Sequence, residues 1–104
     1  MIQCLCVIQE GQQADNMRGE LATALDQYGQ KFLGDAVQVN WVPVPRGGGF
    51  TAGKPSTSSV LSMTAGEPLQ QENRETLLRE LVALWTDHTG CDVDEVVAVL
   101  ADPA

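Results

Sequence analysis

The chain has 104 residues, with 14 acidic against 6 basic side chains, a formal charge of −8 and 43% hydrophobic residues. That is enough sequence for one domain, residues 1–104, with its own core. The acidic excess excludes nucleic acid and anionic membrane surfaces as main partners, since both are polyanions. No apolar run is long enough to span a bilayer and no basic leader with a cleavage site is present, so the cytoplasm is the expected location.

Strand-like sequence starts at once. In MIQCLCVIQEG, residues 2–9 alternate, with Ile2, Cys4, Cys6 and Ile8 on one face and Gln3, Leu5, Val7 and Gln9 on the other. Both faces are apolar toward the middle, so both are expected to be covered. The cysteines Cys4, Cys6 and Cys91 are odd in number, and the first two stand too close on one strand face to bridge comfortably. They read as packing residues. The single histidine, His88, has no partner motif, so neither a metal nor a cofactor is expected.

Gly11 breaks the strand, and Asp15 is placed to cap a helix with the apolar stripe Met17, Leu21, Leu25, Tyr28 and Phe32. Gly34 stops that helix, and VQVNWVPV at 37–44 reads as a second strand. The pattern then returns: a strand at 58–64, a helix entered near Pro68 with the stripe Leu77, Leu81, Leu84, Trp85 and His88, a stop at Gly90, and a strand at 96–100. A shift of 56 residues places Arg18 on Arg74, Leu21 on Leu77, Leu25 on Leu81 and Gly34 on Gly90.

The order is therefore βαβ twice, in halves of about 1–44 and 58–102 joined by a glycine-rich loop at 45–57. The fold class is α+β: one four-stranded sheet with both helices on one face, each crossover right-handed. A ferredoxin-like arrangement is the structural alternative, because it shares the element order. The sheet face without helices is apolar, and burial between copies of the chain is the simplest remedy. The joining loop, PRGGGFTAGKPSTSS, is either a flexible connector or a backbone that approaches a ligand, with Arg46 and Lys54 as anion-binding cations and Phe50 as an apolar wall. It lacks the order of a phosphate-binding P-loop, and no dinucleotide fingerprint is present.

This layout resembles the tautomerase superfamily, which includes 4-oxalocrotonate tautomerase and macrophage migration inhibitory factor. The resemblance rests on IQCLCVIQEGQQ as the opening strand and its Glu-Gly exit, on NRETLLREL at 73–81, on VQVNWVPVPRGGGF at 37–50, and on FTAGKPSTS between the halves. It implies two βαβ units per chain, a homotrimer and a small-molecule site. In the family the catalyst is an N-terminal proline amine, suited to acid–base work because α-amino groups titrate near neutrality.

Here Ile2 occupies the slot of that proline. A bulky second residue blocks removal of the initiator, which leaves the primary amine of Met1 as the expected free terminus. The two family arginines that bind carboxylates fall on Gln12 and Gln38, and a neutral amide cannot supply a charged fork. Phe50 keeps the type of the family's apolar wall, and Lys31 lies where the longer members place a lysine.

Three functions stay open at this stage. The first is a tautomerase-like protein without proline-dependent activity, serving as a binding or regulatory module or acting weakly on a small anionic carbonyl compound. The second is an active isomerase or lyase that uses the Met1 amine, with Arg46, Lys54 and Lys31 holding the anion. The third is a ferredoxin-like small-molecule sensor.

Overall fold

The computed structural model spans Met1–Ala104. Strand β1 (Ile2–Gln9) leads through the Gly11 turn into a short α1 (Gln13–Asn16), then α2 (Arg18–Tyr28) and a π-helical turn (Gly29–Leu33). The single helix expected here is broken at Met17, whose φ of −117° lies outside helical values. Asp15 is not a cap. It lies inside α1, where its carboxylate accepts Arg18 Nε at 3.0 Å and the Gly11 N–H at 3.4 Å. The Arg18 guanidinium, and then that N–H, hold its carboxyl below the usual carboxylate range.

Strand β2 (Val37–Val44) follows, then a small hairpin of β3 (Phe50–Thr51) and β4 (Lys54–Pro55) within the glycine-rich loop. The second half runs β5 (Ser59–Thr64), α3 (Gln71–Thr89), a 3₁₀ turn (Val93–Glu95) and β6 (Val96–Ala101). Pro68 stands outside α3 rather than in its first turn. The approach to the helix is held instead by Asp102, which accepts the Leu69 N–H at 3.0 Å and pairs with Arg74 at 2.6 Å. Both long helical segments end on a left-handed glycine, Gly34 at φ 70° and Gly90 at φ 76°. A side-chain-bearing residue adopts that conformation only at a cost.

The main sheet has the order β2-β1-β5-β6. β1 and β2 are parallel, β5 and β6 are parallel, and β1 meets β5 antiparallel. The two strands of each βαβ unit are direct neighbours. This excludes the ferredoxin-like alternative, whose split βαβ unit inserts another strand between them. Pro43 lacks a donor and lies on the edge strand β2, where that loss is tolerated.

One core joins the helices to one sheet face. Leu21, Leu25 and Tyr28 from α2 and Leu77, Leu81 and Trp85 from α3 pack with Ile2, Cys4, Cys6, Ile8, Leu61 and Met63. The Tyr28 hydroxyl donates to the Leu77 carbonyl at 2.7 Å and ties the two halves together. Burial, and then the charge of Glu80, push its pKa up to about 12. The Cys4 and Cys6 sulfurs lie 3.6 Å apart in this core. The neighbouring sulfur and burial push the Cys6 thiol up, so it packs as a neutral side chain.

Phe32 and His88, read as the last residues of the two stripes, are both exposed. In the first half the wider π turn carries Phe32 off the apolar face. The sheet face away from the helices is uncovered in the single chain. Its middle shows Leu5, Val42, Val97 and Val99, with Leu5 44% exposed. Beside them lies an amide ladder: Gln3 Nε2 donates to Gln38 Oε1 at 3.1 Å, and Asn40 Nδ2 donates to Gln3 Oε1 at 3.0 Å.

Candidate functional site

Parallel pairing in register, Ile2 with Val37, sets the start of β1 beside the segment that precedes β2. Asp35 therefore meets the terminal amine: Met1 N donates to Asp35 Oδ2 at 2.9 Å. That amine, and then the Ala36 N–H, hold the Asp35 carboxyl below its usual range. Ile2 is buried, and its N–H donates to the Ala36 carbonyl at 2.8 Å. The pair opens onto a cleft of about 520 Å³ walled by Ile2, Phe32, Asp35, Glu67, Pro68 and Leu69. Two carboxylates and no cation line this cleft. Lys31 is one side chain away, with its Nζ 5.0 Å from the centre of the Phe32 ring.

Four of the other predicted residues lie at the opposite end of the sheet. β1 has eight residues, so at ~3.3 Å each its ends are about 25 Å apart. Gln12, Arg46, Phe50 and Lys54 gather at the far end. Gln9 Nε2 donates to the Ser58 carbonyl at 3.2 Å there and closes the loop against β1. Arg46 lies flat on the backbone of Gly11: a Cβ at that glycine would fall 2.4 Å from its Nη2. Gly11 also has a φ of +83°, so both the contact and the turn need a residue without a side chain. The guanidinium faces a cleft of about 270 Å³ with Glu10, Gln12, Ser56 and Thr57, and no carboxylate pairs with it. Phe50 is 65% exposed, and Lys54 is exposed beside it on the hairpin. Gln38 stands on the open sheet face in the amide ladder.

A single chain thus brings Arg46 and Gln12 together in one cleft, and places Met1, through its ion pair with Asp35, beside another that Ile2 lines. It does not bring the amine to Phe50, Arg46 or Lys54. Sequence reasoning missed Asp35 and Glu67. Asp35 was within reach, because two parallel strands starting in register place the residue after the Gly34 stop beside the terminus. Glu67 comes from the other half of the repeat, and only the antiparallel contact of β1 with β5 delivers it.

Chains of known structure share this architecture. Ps01740 superposes with a TM-score of 0.86 at 23% identity, over 97% of this chain and 93% of that one. Pt0534, in a form inactivated by 2-oxo-3-pentynoate, gives 0.83 at 23% identity over 97% and 85%. The fused 4-OT named Q0, a symmetric trimer, gives 0.80 at 18% identity over 97% and 85%. The chain has the tautomerase fold. No protein-family model and no curated relative matches the sequence. In this chain Met1 and Ile2 stand at the start of β1.

Proposed function

We propose that this chain is a tautomerase-superfamily protein without proline-amine catalysis, which binds a small anionic carbonyl compound between the subunits of a homotrimer. The observation that carries the reading is the state of the strand start. The Met1 amine is engaged by Asp35 at 2.9 Å, and the Ile2 nitrogen is an amide committed to the Ala36 carbonyl at 2.8 Å. A base needs a free lone pair, and an amide nitrogen has none to offer. Gln12 and Gln38 replace the charged forks that would hold a dicarboxylate.

Charge and distance support the shared site. The cleft beside Met1 has the carboxylate of Glu67 and no lysine or arginine in its walls, its Asp35 being paired with the amine, while unpaired Arg46 and Lys54 lie about 25 Å away. A pocket with both the amine and Arg46 or Lys54 needs two copies of the chain. The uncovered face with Leu5, Val42, Val97 and Val99 supplies apolar surface for that contact, and the structural neighbour Q0 is itself a trimer.

A second reading makes the Met1 amine a nucleophile, since it is exposed and paired with Asp35, which lines the larger cleft. It would first have to leave Asp35. Two measurements separate the readings. Wild type is assayed for enol–keto conversion of phenylpyruvate, and intact mass is followed with 2-oxo-3-pentynoate, an electrophilic ynone. The expected result is no turnover and no time-dependent adduct on Met1. Rapid turnover abolished by an adduct on the amine would establish the second reading. Turnover that survives blocking of the amine would move the chemistry to Arg46 and Lys54. Ile2→Pro with Met1 removed should gain activity, since a prolyl amine would sit where the Ile2 nitrogen now lies.

A further inference from the structure

The cleft of about 270 Å³ at the far end of β1 contains a guanidinium held by its face. A Cβ built at Gly11 would fall 2.4 Å from Arg46 Nη2, 2.8 Å from its Nε and 2.9 Å from its Cζ. Three atoms at nearly one distance lay the plane of the fork against the Gly11 backbone. That contact orients the fork without using its N–H groups, and none of the ion pairs in the chain includes Arg46. An arginine fork presents two parallel donors in the geometry of a carboxylate.

The other walls narrow the choice of ligand. Gln9 is committed, since its Nε2 donates to the Ser58 carbonyl at 3.2 Å. The Ser56 hydroxyl lies 2.6 Å from Thr51 Oγ1 and accepts the Ser58 N–H at 3.0 Å. Thr57 hydrogen-bonds to Glu95. Gln12 stands just before α1, but its amide does not cap that helix. Arg46 and Gln12 are thus the wall side chains with donors to spare, and the Gln12 amide also offers an acceptor.

Glu10 sets the limit on charge. Its carboxylate lies in the same wall, and Arg46 is the only lysine or arginine there. One negative charge is balanced by the guanidinium, while a second would face Glu10 with no cation of its own. Pro55 is the only apolar side chain in the walls, so the cleft offers little to a long apolar body.

We propose that Arg46 and Gln12 form a subsite for a short monocarboxylate with an oxygen on the adjacent carbon, a 2-oxo or 2-hydroxy acid. The carboxylate lies on the Arg46 fork. The adjacent oxygen meets the Gln12 amide, which donates to a carbonyl or accepts from a hydroxyl. Dicarboxylates and phosphate are disfavoured by Glu10. The inference rests on the anion-binding reading given above, and adds the charge of the ligand and the residues that hold it.

The test is a titration of isotope-labelled full-length protein at neutral pH with pyruvate, malonate and inorganic phosphate, followed at the Arg46 Nε–H and at the Gly11 and Gly47 amides. The expected result is saturable binding of pyruvate and much weaker binding of the other two. Arg46→Lys keeps the charge and loses the fork, and should weaken pyruvate binding about tenfold. Gln12→Leu should weaken it too, and Glu10→Gln should narrow the gap between malonate and pyruvate. All three positions are exposed, so the variants should fold. Pyruvate binding that withstands Arg46→Lys but is lost in Lys54→Gln would overturn this inference and leave the anion-binding reading standing. Equal affinity of the wild type for malonate and pyruvate would also overturn it. No saturable binding of any probe would overturn both. The absence of proline-amine catalysis fails separately, on turnover of phenylpyruvate.

Discussion

The two strand starts of the repeat occupy equivalent places in the fold, yet they present different chemistry. The first has a terminal amine, an acidic partner and an open cleft of about 520 Å³ with Phe32 and Leu69 in its walls. The second has an internal serine, a polar cleft of about 210 Å³ and a buried indole donor. The 56-residue shift explains the contrast: Asp35 in the first half corresponds to Cys91 in the second, and Phe32 to His88. The shared framework is held by leucines and glycines that both halves keep. The lesson is that the repeat conserves packing and backbone geometry, while the residues facing the two clefts are free to differ.

The largest effects should fall on the shared framework and be equal in the two halves. Leu25 and Leu81 are mates in the repeat, and both are completely buried. Leu25→Ala and Leu81→Ala should each cost about 2–5 kcal/mol in denaturant unfolding. A large difference between them would show that one helix docks less firmly than the other.

The glycine stops give the next comparison. A Cβ at Gly34 or Gly90 would meet nothing, so the cost of Gly34→Ala and Gly90→Ala is conformational alone. Each should lower stability by about 1–2 kcal/mol, the left-handed penalty for a residue with a side chain. A neutral result at one site would mean that its backbone relaxes out of the left-handed conformation.

The acid limb of stability should separate the equivalent positions 35 and 91. Asp35 has a lowered carboxyl pKa in the folded chain, through the Met1 amine. A depressed carboxyl contributes stability that is present above its unfolded value of about 3.9 and is lost as pH falls through the lower folded value. Asp35→Asn should therefore flatten the loss of stability below about pH 4. Cys91→Ala, at the equivalent place in the second half, should leave that limb unchanged. Asp102, lowered by the Leu69 N–H and then by Arg74, works in the same sense at the entry to α3. Thermal unfolding across the acid range reads all three.

The smallest effect concerns the uncovered sheet face. Gln38→Ala removes one rung of an exposed amide ladder and should change the stability of a separated chain by no more than about 0.5 kcal/mol. A much larger loss that depends on protein concentration would show this face buried between copies, and sedimentation of the same samples would report the oligomer directly.

Much of the fold was legible in the sequence because its signals are local. The alternation in IQCLCVIQ, the three- and four-residue steps of leucine and the glycine stops each express backbone geometry within a few residues. Read twice at one spacing, they imply two βαβ units. The helix details were less legible. The break at Met17 and the π turn at Gly29–Leu33 leave the hydrophobic pattern almost unchanged, yet Phe32, within that turn, is exposed.

That Ile2, Gln12 and Gln38 stand at their positions is a property of the sequence alone. What only the tertiary structure decided is which residues meet. Sheet order and register pair Met1 with Asp35, bring Glu67 across from the second half and carry Arg46 and Phe50 to the far end of the sheet. They also enclose Trp85 with its N–H unpaired. These are contacts between residues tens of positions apart, and their free energy depends on distance and dielectric in the folded chain, which one-dimensional periodicity does not encode.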